Sequence, residues 1–217
     1  MKDTIIVSGG NIQKDFALDF LKRNKIEHTC LIAADRGVGF FMGTDLEPDI
    51  AVGDFDSLSA EGMEYMESLT HTKVIRLKPE KDDSDTQSAM NYAIEHGAKK
   101  IMILGATGNR IDHLMANFGL LILGRAKGVQ VVLADKYNYM CLIESGTVLK
   151  KEKQFGKYVS FFPLDGNVCG LTLKGFKYPL DGYDLKARDS GLTVSNEIAE
   201  AEAEITFDSG KLLMIMS

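Results

Sequence analysis

Short apolar runs that stop at glycine or aspartate alternate with helical periodicity through the first 138 residues. Ile5-Ile6-Val7 stops at Ser8-Gly9-Gly10, and the next segment places Phe16, Ala17, Phe20 and Leu21 on one helical face. The run from Cys30 to Ala34 stops at Asp35-Arg36-Gly37, and Ile50-Ala51-Val52 stops at Gly53-Asp54. Val74 to Leu77 leads through a polar loop into a predicted helix from about Asp85 to His96. Ile101 to Leu104 stops at Gly105, a helix is predicted from about Asp112 to Arg125, and Val129 to Ala134 closes the series. Short strands alternating with helices predict an α/β fold, a mainly parallel sheet with flanking helices, over residues 1–138.

Beyond Asn138 the helical period disappears. Val159 to Pro163, Val168 to Leu173, Leu192-Thr193-Val194, Ala203 to Phe207 and Leu212 to Met216 read as short strands. Turn signals separate them at Asp165-Gly166, Asp181-Gly182, Ser190-Gly191 and Ser209-Gly210. Residues 139–217 are therefore expected to form a small all-β domain, a sandwich or a barrel. No Pro- or Ser-rich linker divides the two parts, so direct packing is expected.

Charge and cysteine usage narrow the function classes. Lys plus Arg number 25 against 31 Asp plus Glu, a formal net charge of −6, which argues against a general nucleic-acid or membrane-surface binder. Cys30, Cys141 and Cys169 are scattered without metal-ligand spacing, which favours free thiols in a reducing compartment. The chain has no run of 18 apolar residues and no signal-peptide core after Met1, so a cytoplasmic protein is expected.

In an open parallel sheet, ligands bind beyond the carboxyl ends of the strands. Here those ends carry Asp35, residues 53–57 and residues 105–110, joined by the acidic segment 80–85. Asp54 and Asp56 are two apart, so an extended backbone would project both carboxylates from one face. Carboxylates that close repel unless a proton or cation separates them, and hard oxygen ligands suit Mg²⁺. The competing reading is a solvated turn in which Asp56 or Ser57 caps a following helix. Asp82 and Asp85 meet if a helix begins there, with Ser84 or Asp85 as its cap and Lys81 beside them as a phosphate partner. Residues 105–110 can offer backbone N–H groups to phosphate, and Arg110 can bind it through two parallel bonds. His113 and Asn117 lie one helical turn apart, on the face toward this loop. The G-x-x-x-x-G-K-[ST] phosphate loop, the G-x-S-x-G nucleophile motif and zinc-ligand spacing do not occur.

In their order along the chain these segments resemble the thiamine pyrophosphokinase family. The resemblance is carried by Ala33-Ala34-Asp35, by Pro48-Asp49 with Gly53-Asp54-Phe55-Asp56-Ser57, and by Glu80-Lys81-Asp82-Asp83-Ser84-Asp85-Thr86. It continues through Gly105-Ala106-Thr107-Gly108-Asn109-Arg110-Ile111-Asp112-His113 with Asn117, Leu173 to Leu180, and Gly191 to Glu197. Ser84 keeps the hydroxyl where the family usually has Thr, Asn109 replaces a common Gly, and no Trp is present to shelve a thiamine pyrimidine.

The resemblance implies an α/β catalytic domain, a C-terminal β-sandwich and a homodimer. It implies Mg²⁺-dependent transfer of a pyrophosphoryl group from ATP to the thiamine hydroxyl, releasing AMP. Asp54, Asp56, Asp82 and Asp85 would hold the metal, and Asp35, Lys81, Arg110, His113 and Asn117 would serve the ATP side. Asp112 would orient or deprotonate the hydroxyl or hold Arg110, and Ser195 and Asn196 match the thiamine-binding turn. Arg36 is left without an assigned role. Two alternatives use the same residues: a metal-dependent phosphohydrolase acting on ATP, and a nucleotide-binding module without turnover.

Overall fold

The computed structural model describes residues 3–24, 29–78, 82–189 and 191–217. The segment after Leu77 that holds Glu80 and Lys81 therefore lies outside the described residues. Two units divide at Lys136/Tyr137. Among the described residues no helix is long and apolar enough to cross a membrane.

The first unit is built on strands β1 (Asp3–Val7), β2 (Thr29–Ala34), β3 (Ile50–Gly53), β4 (Lys73–Arg76), β5 (Lys100–Leu104) and β6 (Gln130–Ala134). They lie in the order β4-β3-β2-β1-β5-β6, and every pairing among them is parallel. Ile5, Ile6 and Val7, like Ile101 and Ile103, are fully buried. A parallel strand needs such residues because helices cover the sheet.

The helices are α1 (Lys14–Asn24), α2 (Ala60–Ser68), α3 (Asp85–Glu95) and α4 (Ile111–Ala126). Helix α3 packs on β1, β2 and β3, and α4 packs on β6. Helix α2 has no counterpart in the periodic segments read from sequence. Its start is set by Ser59, whose hydroxyl accepts from Gly62 N at 3.1 Å, so neither Asp56 nor Ser57 is the cap. At α3 the cap is Ser84, accepting from Gln87 N at 3.2 Å.

The second unit is antiparallel throughout. Strands β7 (Tyr139–Ile143), β8 (Thr147–Lys150), β9 (Val159–Pro163), β10 (Val168–Lys174), β11 (Leu180–Leu185), β12 (Glu202–Thr206) and β13 (Leu212–Met216) form it. Strand β13 lies between β7 and β9, and a four-stranded sheet runs β11-β10-β12-β8. Phe161 of β9 meets Phe176 edge-on at 5.6 Å in the core of this β-sandwich.

One strand expectation fails. Leu192-Thr193-Val194 forms turns and bends, with Leu192 44% and Val194 42% exposed. Ser195 adopts a left-handed backbone, φ 57, which no pleated strand accommodates. The segment instead hangs on β9: Phe161 N donates to Thr193 O, and Val159 and Asn196 exchange both backbone bonds.

Strand order reverses between β1 and β5, the kind of crevice where open α/β sheets bind ligands. Backbones crowd there. A Cβ on Gly37, in the 3-10 segment Asp35–Phe41 after β2, would sit 2.0 Å from Val7 O, whereas one on Gly39 would meet nothing within 4 Å. Gly37→Ala should therefore destabilise the protein by roughly 1–3 kcal/mol. Gly39→Ala should fall within about 0.5 kcal/mol of the parent. Urea unfolding of the two variants reads the difference.

Candidate functional site

A cavity of about 320 Å³ opens at this crevice. Residues 8–11 after β1, 34–36 after β2, 84–86 at the head of α3 and most of 105–110 after β5 line it. His113, Ala116 and Asn117 of α4 complete the lining. The loops after β1 and β5 touch through backbone: Gly10 N donates to Gly105 O at 3.1 Å, and a Cβ on Gly10 would lie 2.2 Å from that oxygen. Ser8 and Thr86 hydroxyls, both buried, bond at 2.5 Å and tie β1 to the first turn of α3. In the sequence, Ser8-Gly9-Gly10 marks only the end of a strand. The paired glycines after an apolar run were its one available signal.

Asp35, Asp54 and Asp85, each half-buried, bring one carboxylate oxygen apiece within 4.8 Å of one another. Asp35 sits at φ 46, and the closeness of Gly53 admits it: a Cβ there would be 3.0 Å from Asp35 Cα. Ser57 Oγ donates to Asp35 Oδ2 at 2.5 Å, while Asp35 Oδ1 is buried with no hydrogen-bond partner among the described residues. A buried, unsatisfied carboxylate oxygen among other carboxylates is what a hard divalent cation fits.

The membership differs from the sequence expectation, since Asp35 enters this trio and Asp56 and Asp82 do not. The extended geometry assumed for Asp54 and Asp56 is absent. Phe55 is left-handed (φ 62), its ring is buried, and Asp54 Oδ1 accepts from Asp56 N at 3.1 Å. The Asp56 carboxyl is exposed but still near, and its pKa is raised chiefly by the Asp54 charge, then by desolvation, with Asp35 and Asp85 adding. Asp82 is exposed and precedes the Ser84 cap, outside the helical turn that would have joined it to Asp85.

Arg110 and His113 line the cavity from an exposed edge. The Arg110 guanidinium closes on Asp112, Nε to Oδ1 at 3.2 Å and Nη2 to Oδ2 at 2.5 Å. With His113 N also donating to Oδ1 at 3.0 Å, the Asp112 pKa falls to about 2, the Arg110 hydrogen bond being the largest cause. Asn117 is buried and gives its amide N–H to Ala106 O at 2.7 Å, which holds the 105–110 loop.

In the second unit Asn196 is equally committed. Its Oδ1 accepts from Tyr178 N at 3.0 Å and Glu197 N at 2.9 Å, and its Nδ2 donates to Tyr178 O at 2.8 Å. Ser195 beside it is exposed and anchored through its backbone N–H to Ser160 Oγ at 2.9 Å.

Residues 21–133 match the sequence model of the thiamin pyrophosphokinase catalytic domain, and residues 146–212 match that of the thiamin pyrophosphokinase vitamin B1 binding domain. The thiamine pyrophosphokinase of Bacillus subtilis is 33% identical over 217 residues, all of this chain and 99% of that one. The chain belongs to the thiamine pyrophosphokinase family. The crystal structure of the Bacillus subtilis thiamine pyrophosphokinase superposes with a TM-score of 0.88 at 31% identity, over 100% of this chain and 99% of that one. A thiamin pyrophosphokinase family protein from Enterococcus faecalis superposes with a TM-score of 0.81 at 33% identity, with the same coverage.

The Arg110–Asp112 pair of this family member is open to direct measurement. The Asp112 carboxyl carbon should titrate by NMR near about 2. Arg110→Met should return it toward the ordinary value of about 4. The sign follows: a depressed pKa favours the paired state above about 4, and that preference is lost as pH falls through about 2. An unmoved midpoint in the variant would show that Arg110 is not its cause.

Proposed function

We propose that the cavity at the β1–β5 crevice binds ATP and that the carboxylates beside it hold Mg²⁺. The activity of the chain is ATP-dependent transfer of a pyrophosphoryl group to thiamine, giving thiamine diphosphate and AMP. The observation that carries the placement is Asp35 and Asp85 belonging both to the cavity wall and to the carboxylate trio. In this reading residues 1–138 are the ATP- and Mg²⁺-handling domain, and residues 139–217 bind thiamine.

The thiamine hydroxyl oxygen forms a bond to the β-phosphorus of ATP as the bond from that phosphorus to the α,β-bridging oxygen breaks; AMP leaves and the hydroxyl proton passes to solvent. Asp35, Asp54 and Asp85 would be the metal ligands, with the exposed Asp56 carboxyl close by. Mg²⁺ so held supplies charge neutralisation at the phosphates. Phosphoryl transfer depends on positioning and charge stabilisation more than on covalent chemistry from the protein. The loops at residues 8–11 and 105–110 present backbone and Arg110 to the phosphates, with His113 on the same side. Asn117 contributes by fixing the loop at Ala106. Asp112, with a pKa near about 2, is a weak base at neutral pH, which supports a role in aiming Arg110 rather than deprotonating thiamine.

One assay separates this function from its two alternatives. ATP and Mg²⁺ are incubated with and without thiamine while AMP and thiamine diphosphate are followed. Thiamine diphosphate and AMP should appear together only with thiamine and be abolished by chelation. Phosphate or pyrophosphate release without thiamine would mean a phosphohydrolase, and ATP binding without turnover a binding module. Asp54→Asn, nearly isosteric, should lose on the order of 10²-fold at limiting Mg²⁺ while remaining folded.

On the thiamine side the exposed Ser195 hydroxyl is the group available to a ligand, while Asn196 shapes the turn. A homodimer belongs to the same reading, since a small sandwich leaves strand edges that a second copy can cover. The three free cysteines suit a cytoplasmic setting. Light scattering should give about twice 23.9 kDa, and Ser195→Ala should raise the thiamine KM several-fold with the ATP KM unchanged. An active monomer overturns the first statement, and an unchanged thiamine KM the second.

A further inference from the structure

We infer that Arg36 is a phosphate-binding residue of the ATP site, the guanidinium that meets the polyphosphate on arrival. The inference rests on the placement of ATP in the β1–β5 cavity. Arg36 follows Asp35 at the end of β2, in the 3-10 segment that Gly37 presses against Val7 O. That press aims the residue at the loop after β1. A Cβ on Gly9 would sit 3.0 Å from Arg36 Cβ and 3.5 Å from its Nε, so the side chain lies along the Gly9 backbone within the cavity wall. A larger residue at position 9 would push the guanidinium away.

Two arginines line this cavity, and their circumstances differ. One edge of the Arg110 donor fork, Nε and Nη2, is already taken by Asp112. Arg36 is exposed, and among the described residues it has neither an ion pair nor a side-chain hydrogen bond. A guanidinium is planar, stays charged at any working pH and matches two phosphate oxygens at once. ATP brings about four negative charges into a wall that already carries Asp35 and Asp85. A cation beside those carboxylates offsets the repulsion on the flank that a metal between them does not cover. Arg110 shares its Nε–Nη2 edge with Asp112, whereas among the described residues every donor of Arg36 is uncommitted.

Direct titration of ATP and Mg²⁺ into the full chain without thiamine tests this, using Arg36→Met, Arg36→Lys and Ala116→Phe. Ala116 is an exposed residue of the cavity wall on α4, so Phe there fills the pocket without disturbing the core. Arg36→Met should weaken ATP binding at least about 10-fold, Arg36→Lys should recover part of that loss, and the thiamine KM should stay within about twofold. A loss below about threefold in Arg36→Met, with Ala116→Phe binding ATP poorly, overturns the role of Arg36 and leaves the pocket assignment standing. Unchanged binding in Ala116→Phe overturns the pocket assignment and the inference with it. A thiamine KM that rises in step with the ATP loss also overturns it, because a phosphate ligand has no reason to act on thiamine.

Discussion

Carboxylate oxygens of Asp35, Asp54 and Asp85 approach within 4.8 Å of one another, and each pair at that separation repels by the order of 1–4 kcal/mol, depending on how well water screens it. Folding alone gains nothing from such crowding, so the surrounding structure has to impose it. Parallel pairing of β2 with β3 sets the ends that carry Asp35 and Asp54 side by side, and the Ser84 cap starts α3 at Asp85. Ser57 relieves one oxygen of Asp35 and leaves the other buried and, among the described residues, unsatisfied. Phe55 holds a left-handed backbone that costs roughly 1–2 kcal/mol, and the burial of its ring offsets this. Arg76 covers that ring with its guanidinium 5.6 Å from the centroid. The repulsion concentrated here is the free energy that a bound cation would recover.

Backbone-to-backbone packing is the second constraint, and it explains why glycine recurs where the strands end. Gly10 and Gly105 touch and Gly37 meets Val7 O at separations that exclude a methyl group, and Gly53 lies so near the Asp35 backbone that a methyl group would crowd it. The loops after β1, β2 and β5 are therefore braced against one another through main chain before any ligand arrives. Loops already held this way lose little conformational entropy on binding, which leaves more of the interaction free energy for affinity.

The parallel half was legible because its strands are short, fully apolar and punctuated by Gly or Asp, a pattern that helix-covered sheets impose. Helix α2 escaped notice because Ala60 to Ser68 mixes Met, Tyr, Glu and Gly without a clear stripe, and only Met66 and Gly62 are buried. In the second unit β7 hid within the boundary region, while β11 reads as polar because four consecutive positions, 181–184, are exposed. Leu192 to Val194 made the opposite error: apolar and β-branched residues occupy a turn because hydrogen bonds to β9 and the left-handed Ser195 outweigh local propensity. At the site, Asp35, Asp54 and Asp85 were all visible as acidic residues at element ends. Asp35 could not be assigned to the trio by spacing, since Gly53 brings it there through a contact between chain segments far apart in sequence.

Family motifs mix side chains that a substrate can reach with side chains that hold the reachable ones. Asn117 and Asn196 stand in matching motifs, yet their amides are committed to Ala106 and Tyr178 backbone atoms. Asp112 is likewise committed to Arg110. Such residues are as necessary to the site as a ligand contact, because removing a buried amide leaves its backbone partners unsatisfied. The exposed groups proposed for the other kind are Ser195 in the turn and Arg36 against the Gly9 loop. Their conformations are fixed by backbone rather than by side-chain bonds, through the Ser195 N–H to Ser160 and through the press of Gly37 on Val7. A polar tip held in place without spending its own hydrogen bonds arrives at the ligand with its full bonding capacity.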